Sequence, residues 1–250
     1  MSTPGNSNEL SIAPKSAFVT TQWSVVLAAR DQDPAQAEAA LATLCGSYWF
    51  PIYAFVRRRG FSPHDAEDLT QEFFARLIGK KYLDQLASEG GKFRSFLLTA
   101  LKHFLANEWN HARTQKRGGA LQILSWDALD AEHRYTLEPA DQTTPEDVFD
   151  RRWALVLLNT VMQRLEAEYT AAGKADLFAR LQPCITGGRK SVKPEELSAQ
   201  FGTSAGAVRV AVHRLRRRYG ELLREEIART VGSPDEVDAE IRFLITAAYG

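Results

Sequence analysis

The sequence predicts an all-α protein: two helical bundles joined by a flexible acidic linker, the second containing a helix-turn-helix. Three observations lead there. Apolar residues recur at steps of three or four through almost every patterned segment, the period of an amphipathic helix. No run alternates with the two-residue period of a strand. Between residues 119 and 143 the periodicity stops and acidic residues dominate, which marks a linker between two helical blocks.

The elements follow in order. The opening residues 1–18 are small and polar and are expected to be a disordered tail. Thr21-Gln22-Trp23 opens a first helical pattern that Asp33-Pro34 breaks. A longer helix then carries Leu41, Leu44, Tyr48, Ile52, Phe55 and Val56, and stops at Gly60 after three arginines. Ser62-Pro63 starts a third helix, with acids in its first turn and Leu69, Phe73, Phe74, Leu77 and Ile78 on its apolar side. A loop leads to a fourth, with Phe96, Leu97, Ala100, Leu101, Phe104, Leu105 and Trp109, ending near Gly118-Gly119. These make a first domain over 19–118. The linker 119–143 carries a short strand-like run at 121–124. Thr144-Pro145-Glu146-Asp147 supplies a capping hydroxyl, a proline and two acids, a strong helix start. That helix runs to about Ala171 with Val148, Leu155, Leu158, Val161, Met162 and Leu165 inward, and another spans Ala175–Leu181. A second domain covers 144–231. Gly232-Ser233-Pro234 ends it, and residues 232–250 form a C-terminal extension helix.

The segment TSAGAVRVAVHRLRRRYG carries the most pointed chemistry. Val208, Val212, Leu215, Tyr219 and Leu222 form one apolar stripe, and Arg209, His213, Arg216 and Arg217 fall on another face. Before it, Pro194, Glu195 and Glu196 suit a helix start, and Leu197 and Phe201 supply apolar contacts. Gly202 suits a left-handed stop, and Thr203 or Ser204 suits a cap. A short helix, a tight turn and a basic second helix is the pattern of a helix-turn-helix, whose second helix enters the DNA major groove. A solvated charged face is the plain alternative.

The bounds are simple. The 250 residues carry 31 basic and 31 acidic side chains, a net charge of zero. The balance hides blocks of opposite sign. The acids Asp65, Glu67, Asp68 and Glu72 lie together. Lys92, Arg94, Lys102, Arg113, Lys116 and Arg117 then stand against Glu108 alone. Such blocks imply different partners for different parts of the chain. The two cysteines, Cys45 and Cys184, sit among apolar neighbours and are expected to be free thiols. No apolar run is long enough to span a membrane and no signal peptide opens the chain, so a cytoplasmic location is the default. Glu108 and His111 have the spacing of a helical di-iron motif, but the second copy that such a site needs is missing. No nucleophile-base pattern or phosphate loop stands out. Neither a metal, a cofactor nor an enzymatic activity is expected.

Asp65-Ala66-Glu67-Asp68-Leu69-Thr70-Gln71-Glu72-Phe73-Phe74, a basic aromatic helix, a linker and a late helix-turn-helix together resemble the alternative sigma factors of bacterial RNA polymerase. The likeness is to the small extracytoplasmic-function type of the sigma-70 superfamily, over about residues 21–230. The resemblance implies that Asp65, Asp68, Gln71, Glu72 and Arg76 dock on the β′ coiled coil of the polymerase core. It implies that Phe93, Arg94, Lys102, Asn107, Trp109, Asn110, Arg113, Lys116 and Arg117 melt and hold the minus-ten promoter element. Aromatic faces and cations suit that work, because base stacking on a ring contributes roughly 1–3 kcal/mol per base. Phe96, Phe104 and Trp109 share an apolar stripe and are expected mainly as core. Thr203, Ser204, Arg209, His213, Arg214, Arg216 and Arg217 would read the minus-thirty-five element, with the second bundle on the β flap. Asp127, Asp130, Glu132, Glu138 and Asp141 would give the linker a negative charge suited to a positive channel, or simply solubility. An anti-sigma factor or a regulatory kinase is a further partner in this family, and nothing selects Thr143 or Thr144 as an acceptor.

Two features depart from the family pattern. Where family members carry V-K-S-R-L-H-R, this chain has Val208-Arg209-Val210-Ala211-Val212-His213-Arg214, so the promoter sequence does not carry over. The chain is also longer before the hairpin, and a helix follows the usual end, either to pack or to autoinhibit. Two rival readings stand beside a sigma factor: a stand-alone helix-turn-helix regulator that binds duplex DNA by itself, and a sigma-like adaptor that binds polymerase without opening promoters.

Overall fold

The computed structural model describes residues 34–78, 92–112, 132, 135, 143–186, 197–198 and 202–249. The expected tail, the helix opening at Thr21 and most of the linker lie outside these residues. Those described are helical, with no strand among them: α1 (Pro34–Arg58), α2 (Pro63–Ile78), α3 (Phe93–Ala112), α4 (Pro145–Ala171), α5 (Ala175–Leu181), α6 (Pro183–Thr186), α7 (Ala205–Ala228), a 3-10 turn (Pro234–Glu236) and α8 (Val237–Tyr249). None of these helices is long and apolar enough to cross a membrane.

The helix boundaries have local causes. The Ser62 hydroxyl accepts from the Asp65 amide at 3.1 Å and donates to the Asp65 carboxylate at 2.6 Å, which starts α2. Thr144 and Asp147 make a reciprocal capping box at the start of α4, and Pro145 occupies its first turn. Gly60 follows α1 at φ +94°, a conformation that glycine adopts without steric penalty. Pro51 sits inside α1 without ending it. Ser233 and Glu236 make a second capping box that feeds the short turn before α8. The long basic helix stops at Ala228, four residues short of the Gly232 stop that the sequence suggests.

α4 organises the molecule. It packs along α1 on one side, and along α7 and α8 on others. The stripe expected for it was Val148, Leu155, Leu158, Val161, Met162 and Leu165. The buried set is Val148, Phe149, Trp153, Ala154, Leu157, Val161, Met162 and Leu165, while Leu155 and Leu158 are half-buried. A helix packed on several sides is apolar around much of its circumference, so a single stripe does not capture it. Residues from both expected bundles form one hydrophobic cluster among the described residues. Tyr48 of α1 stacks on Trp153 of α4 with ring centroids 4.1 Å apart and planes 9° from parallel. Phe93 of α3 lies 6.0 Å from Trp153 and 5.6 Å from Tyr48. Phe55 meets Phe149 edge-on at 6.4 Å, the geometry that ring quadrupoles favour.

The described part of the linker also has a seat on this core. Tyr53 donates to Glu132 at 2.5 Å, and Arg57 donates to both carboxylate oxygens of Glu132 at 2.8 and 2.9 Å. The Arg57 guanidinium also reaches the Phe61 carbonyl and lies over the Tyr135 ring at 4.9 Å. Arg58 donates to the Thr143 carbonyl at 3.1 Å.

Candidate nucleic-acid and protein interfaces

The acidic face of α2 is built as the sequence implies. Ala66, Thr70, Phe73, Phe74 and Leu77 are buried on one side, with the Thr70 hydroxyl donating back to the Ala66 carbonyl at 2.6 Å. Asp65, Asp68 and Glu72 are exposed on the other, and Gln71 and Leu69 are half-buried. Gln71 contacts Glu67 at 3.4 Å, and His64 lies 3.7 Å from Asp68. Arg76 stands at the end of this face. It contacts Glu72 at 2.5 Å and Glu108 of α3 at 2.7 Å, and its guanidinium covers the Phe104 ring at 5.2 Å. Arg76 is thus a strut between α2 and α3 as well as a surface cation. Glu108, half of the rejected di-iron spacing, spends its carboxylate on that strut. No cluster of metal-ligating side chains occurs among the described residues.

The residues expected to hold melted DNA divide sharply. Phe93 is wholly buried, and Phe104 is core as expected. Arg94 is 8% exposed and reaches inward. Its Nη1 donates to Asp150 of α4 at 2.5 Å and its Nε donates to Glu240 of α8 at 3.1 Å. In this packing Phe93 and Arg94 present nothing to a ligand; their partners, Trp153, Asp150 and Glu240, are remote in sequence. Lys102 is half-exposed and pairs with Glu146 at 2.8 Å, while Asn107 is exposed. Trp109 and Asn110 lie in the last turn of α3, where the backbone alone is described. Arg113, Lys116 and Arg117 lie outside the described residues.

The basic helix has the expected amphipathic build. Val208, Leu215 and Leu222 are buried, and Val212 and Tyr219 are half-buried. Burial pushes the Tyr219 hydroxyl up to about 12. Gly202 takes φ +60°, and the Ser204 side chain accepts from the Ala207 amide, so turn and cap are as read from the sequence. Thr203 is exposed, and its amide donates to the Ser198 carbonyl at 3.2 Å. Leu197 and Ser198 alone represent the preceding helix among the described residues, with Leu197 buried. Arg209, His213, Arg214 and Arg217 are exposed, and Arg217 pairs with Glu221 one turn on. Arg216 departs from this face. Its guanidinium donates twice to the Cys184 carbonyl, at 2.8 and 3.1 Å, and so ties α7 to α6. Arg218, beside it, is held by Glu168 of α4 at 2.6 Å and by Glu221 at 3.1 Å. Val210, 49% exposed among the cations, is an apolar point on the same outward surface.

Both cysteines are free; Cys184 is buried, and Cys45 is half-buried with its thiol pushed up to about 11 by desolvation.

Comparison with known proteins gives one finding. Residues 50–117 match the family model of sigma-70 region 2, a span that runs from α1 through α2 to just past α3. No curated protein and no solved structure matches the chain. Over that span the chain is similar to region 2 of the sigma-70 factors.

Proposed function

We propose that this chain, whose residues 50–117 match sigma-70 region 2, is an alternative sigma factor, which binds the RNA polymerase core and directs it to promoters. The observation that carries this reading is the α2 face. Asp65, Asp68 and Glu72 point to solvent while the back of the helix is locked in aromatic core, and the whole element lies within the matched span. A rigid, exposed acidic helix suits docking on a basic coiled coil, with charge complementarity setting encounter rate and register.

The exposed basic residues of α7, Arg209, His213, Arg214 and Arg217, would read the minus-thirty-five element in the major groove. Val210, exposed on the same surface, would meet a thymine methyl where serine would hydrogen-bond. Lys102, Asn107, Trp109 and Asn110 of α3, with Arg113, Lys116 and Arg117 beyond it, would engage the minus-ten element. Catalysis stays with the polymerase, and the chain works in the cytoplasm, where polymerase is.

A second reading is favoured by the burial of Phe93 and Arg94: an adaptor that binds polymerase but does not open promoters. A stand-alone regulator would instead bind duplex DNA tightly by itself. The test is retention of purified core polymerase by wild-type protein and by an Asp65→Lys/Asp68→Lys variant. Wild type should retain polymerase and the variant should not. Duplex binding without polymerase retention would rule the sigma reading out.

A further inference from the structure

The stretch between α4 and the helix-turn-helix is longer than the family pattern, and the function proposed above gives that extra length no task. Its described part, residues 172–186, is firmly seated. The Gly173 and Lys174 amides donate to the Thr170 and Tyr169 carbonyls at 3.0 and 2.8 Å, the bonding pattern of a Schellman end, which fixes the direction in which α5 leaves α4. Phe178 and Leu181 of α5 and Cys184 of α6 are buried, and the Tyr169 and Phe178 rings lie 5.7 Å apart. From this seat the segment grips α7 through one side chain. The Cys184 carbonyl accepts two hydrogen bonds from Arg216, from Nη2 at 2.8 Å and from Nε at 3.1 Å. The last four carbonyls of a helix have no partner within it, and α6 is four residues long, so this carbonyl is open to a donor from outside.

A second tie lies on another flank of α7, where Arg218 is held by Glu168 of α4 at 2.6 Å. At 3.6 residues per turn, Arg209 and Arg217 lie within roughly 40° of His213 around the helix axis. Arg216 stands roughly 60° to one side of His213 and Arg218 roughly 140° to the other. The two guanidinium ties therefore brace the outward face from both sides, which fixes the rotation of α7 about its own axis. That rotation matters for reading DNA. A roll of about 30° moves the side-chain surface of a helix by about 3 Å, comparable with the spacing of successive base pairs. The edge of the guanidinium that holds the carbonyl is also the edge that would clasp a phosphate, so the tie and a bidentate phosphate contact exclude each other.

We propose that Arg216 is a positioning residue, through which the α5–α6 segment sets the roll of α7 and so decides which base pairs of duplex DNA its outward side chains reach. The proposal rests on the DNA-reading role given above to Arg209, His213, Arg214 and Arg217. It takes Arg216 out of the direct DNA contacts, and it gives the extra length before the helix-turn-helix a task, the tuning of sequence preference.

The test uses the full chain. Wild type, Arg216→Lys, Arg216→Ala, Phe178→Leu and Arg209→Ala each select duplexes from a randomised pool at low salt, with and without core polymerase. Affinity for the wild-type consensus is then measured against salt concentration, and thermal midpoints are recorded. Lysine keeps the charge but lacks the planar fork that grips one carbonyl with two N–H groups. Phe178→Leu loosens the seat of α5 without altering a residue of α7. Both should lower the preference for the wild-type consensus over a scrambled duplex by about fivefold or more, the low end for one misplaced base contact. Arg216→Ala should keep the salt slope of wild type, whereas loss of a phosphate contact would reduce it by about one. A residue that only stabilised the fold would lower the thermal midpoint and leave the selected sequence unmoved. A consensus unchanged in both Arg216→Lys and Phe178→Leu, or a salt slope that drops by about one in Arg216→Ala, overturns the proposal. A wild type that selects no sequence, or an Arg209→Ala variant that selects the wild-type one at full strength, brings down the DNA-reading role itself and the proposal with it.

Discussion

Phe93 shows what a single residue can conceal. It stands beside Lys92 and Arg94 at the start of an aromatic helix, the local signature of a nucleic-acid contact, yet its ring is sealed against Tyr48, Phe96 and Trp153. Nothing in the neighbouring sequence announces those partners, because they arrive from α1 and α4. Phe93→Ala should therefore destabilise the fold by about 3–5 kcal/mol, the range for emptying a buried aromatic site. Urea unfolding monitored by circular dichroism reads this directly; a ring serving DNA alone would leave the midpoint unmoved. Gly202 is the opposite case, legible from its position after Phe201. At φ +60°, Gly202→Ala places a side chain in the left-handed region and should cost about 1–2 kcal/mol. Arg216 was legible as basic but not as structural, since its target is a main-chain carbonyl of α6, and carbonyls leave no mark in a sequence.

At the scale of elements, the starts were the most readable features. The caps at Ser62, Thr144 and Ser204 all form as side-chain chemistry dictates. Thr144→Ala should cost about 1 kcal/mol through loss of the capping box, seen as a lowered midpoint in thermal unfolding. The core face of α4 was only half legible. Phe149, Trp153 and Leu157 were missed because apolar residues surround much of a helix that serves α1, α7 and α8 at once. The linker offers a pH handle. The Arg57 hydrogen bonds hold the Glu132 carboxyl below its ordinary value of 4.5, with Tyr53 helping. A depressed acid contributes stability that is full above the unfolded value and is lost as pH falls through the folded one. Wild type should thus melt above Glu132→Gln at neutral pH, and the gap should close as pH drops below about 4. A gap independent of pH would show that the carboxylate charge is irrelevant to this contact.

Over the described residues, the sequence reads correctly as helical, with an acidic face and a basic helix. It did not reveal that α4 would bind the two halves into one cluster. That arrangement requires knowing which helix meets which, and amphipathic patterns specify a face without naming its partner. The stacked pair of Tyr48 and Trp153 makes one cooperative unfolding transition the expectation, shared by signals from α1–α3 and from α7. The same closeness buries Arg94 and gives α8 its hold on the start of α3, while the acidic face of α2 points outward.

The most direct test of the account is transcription from sheared genomic DNA of the source organism, using core polymerase with this protein. Start sites are mapped for wild type and Asp65→Lys/Asp68→Lys. The account predicts discrete starts sharing upstream sequence elements with wild type and none with the double charge reversal. Polymerase that gains no starts from wild type, or starts that persist after the α2 charges are reversed, would contradict it.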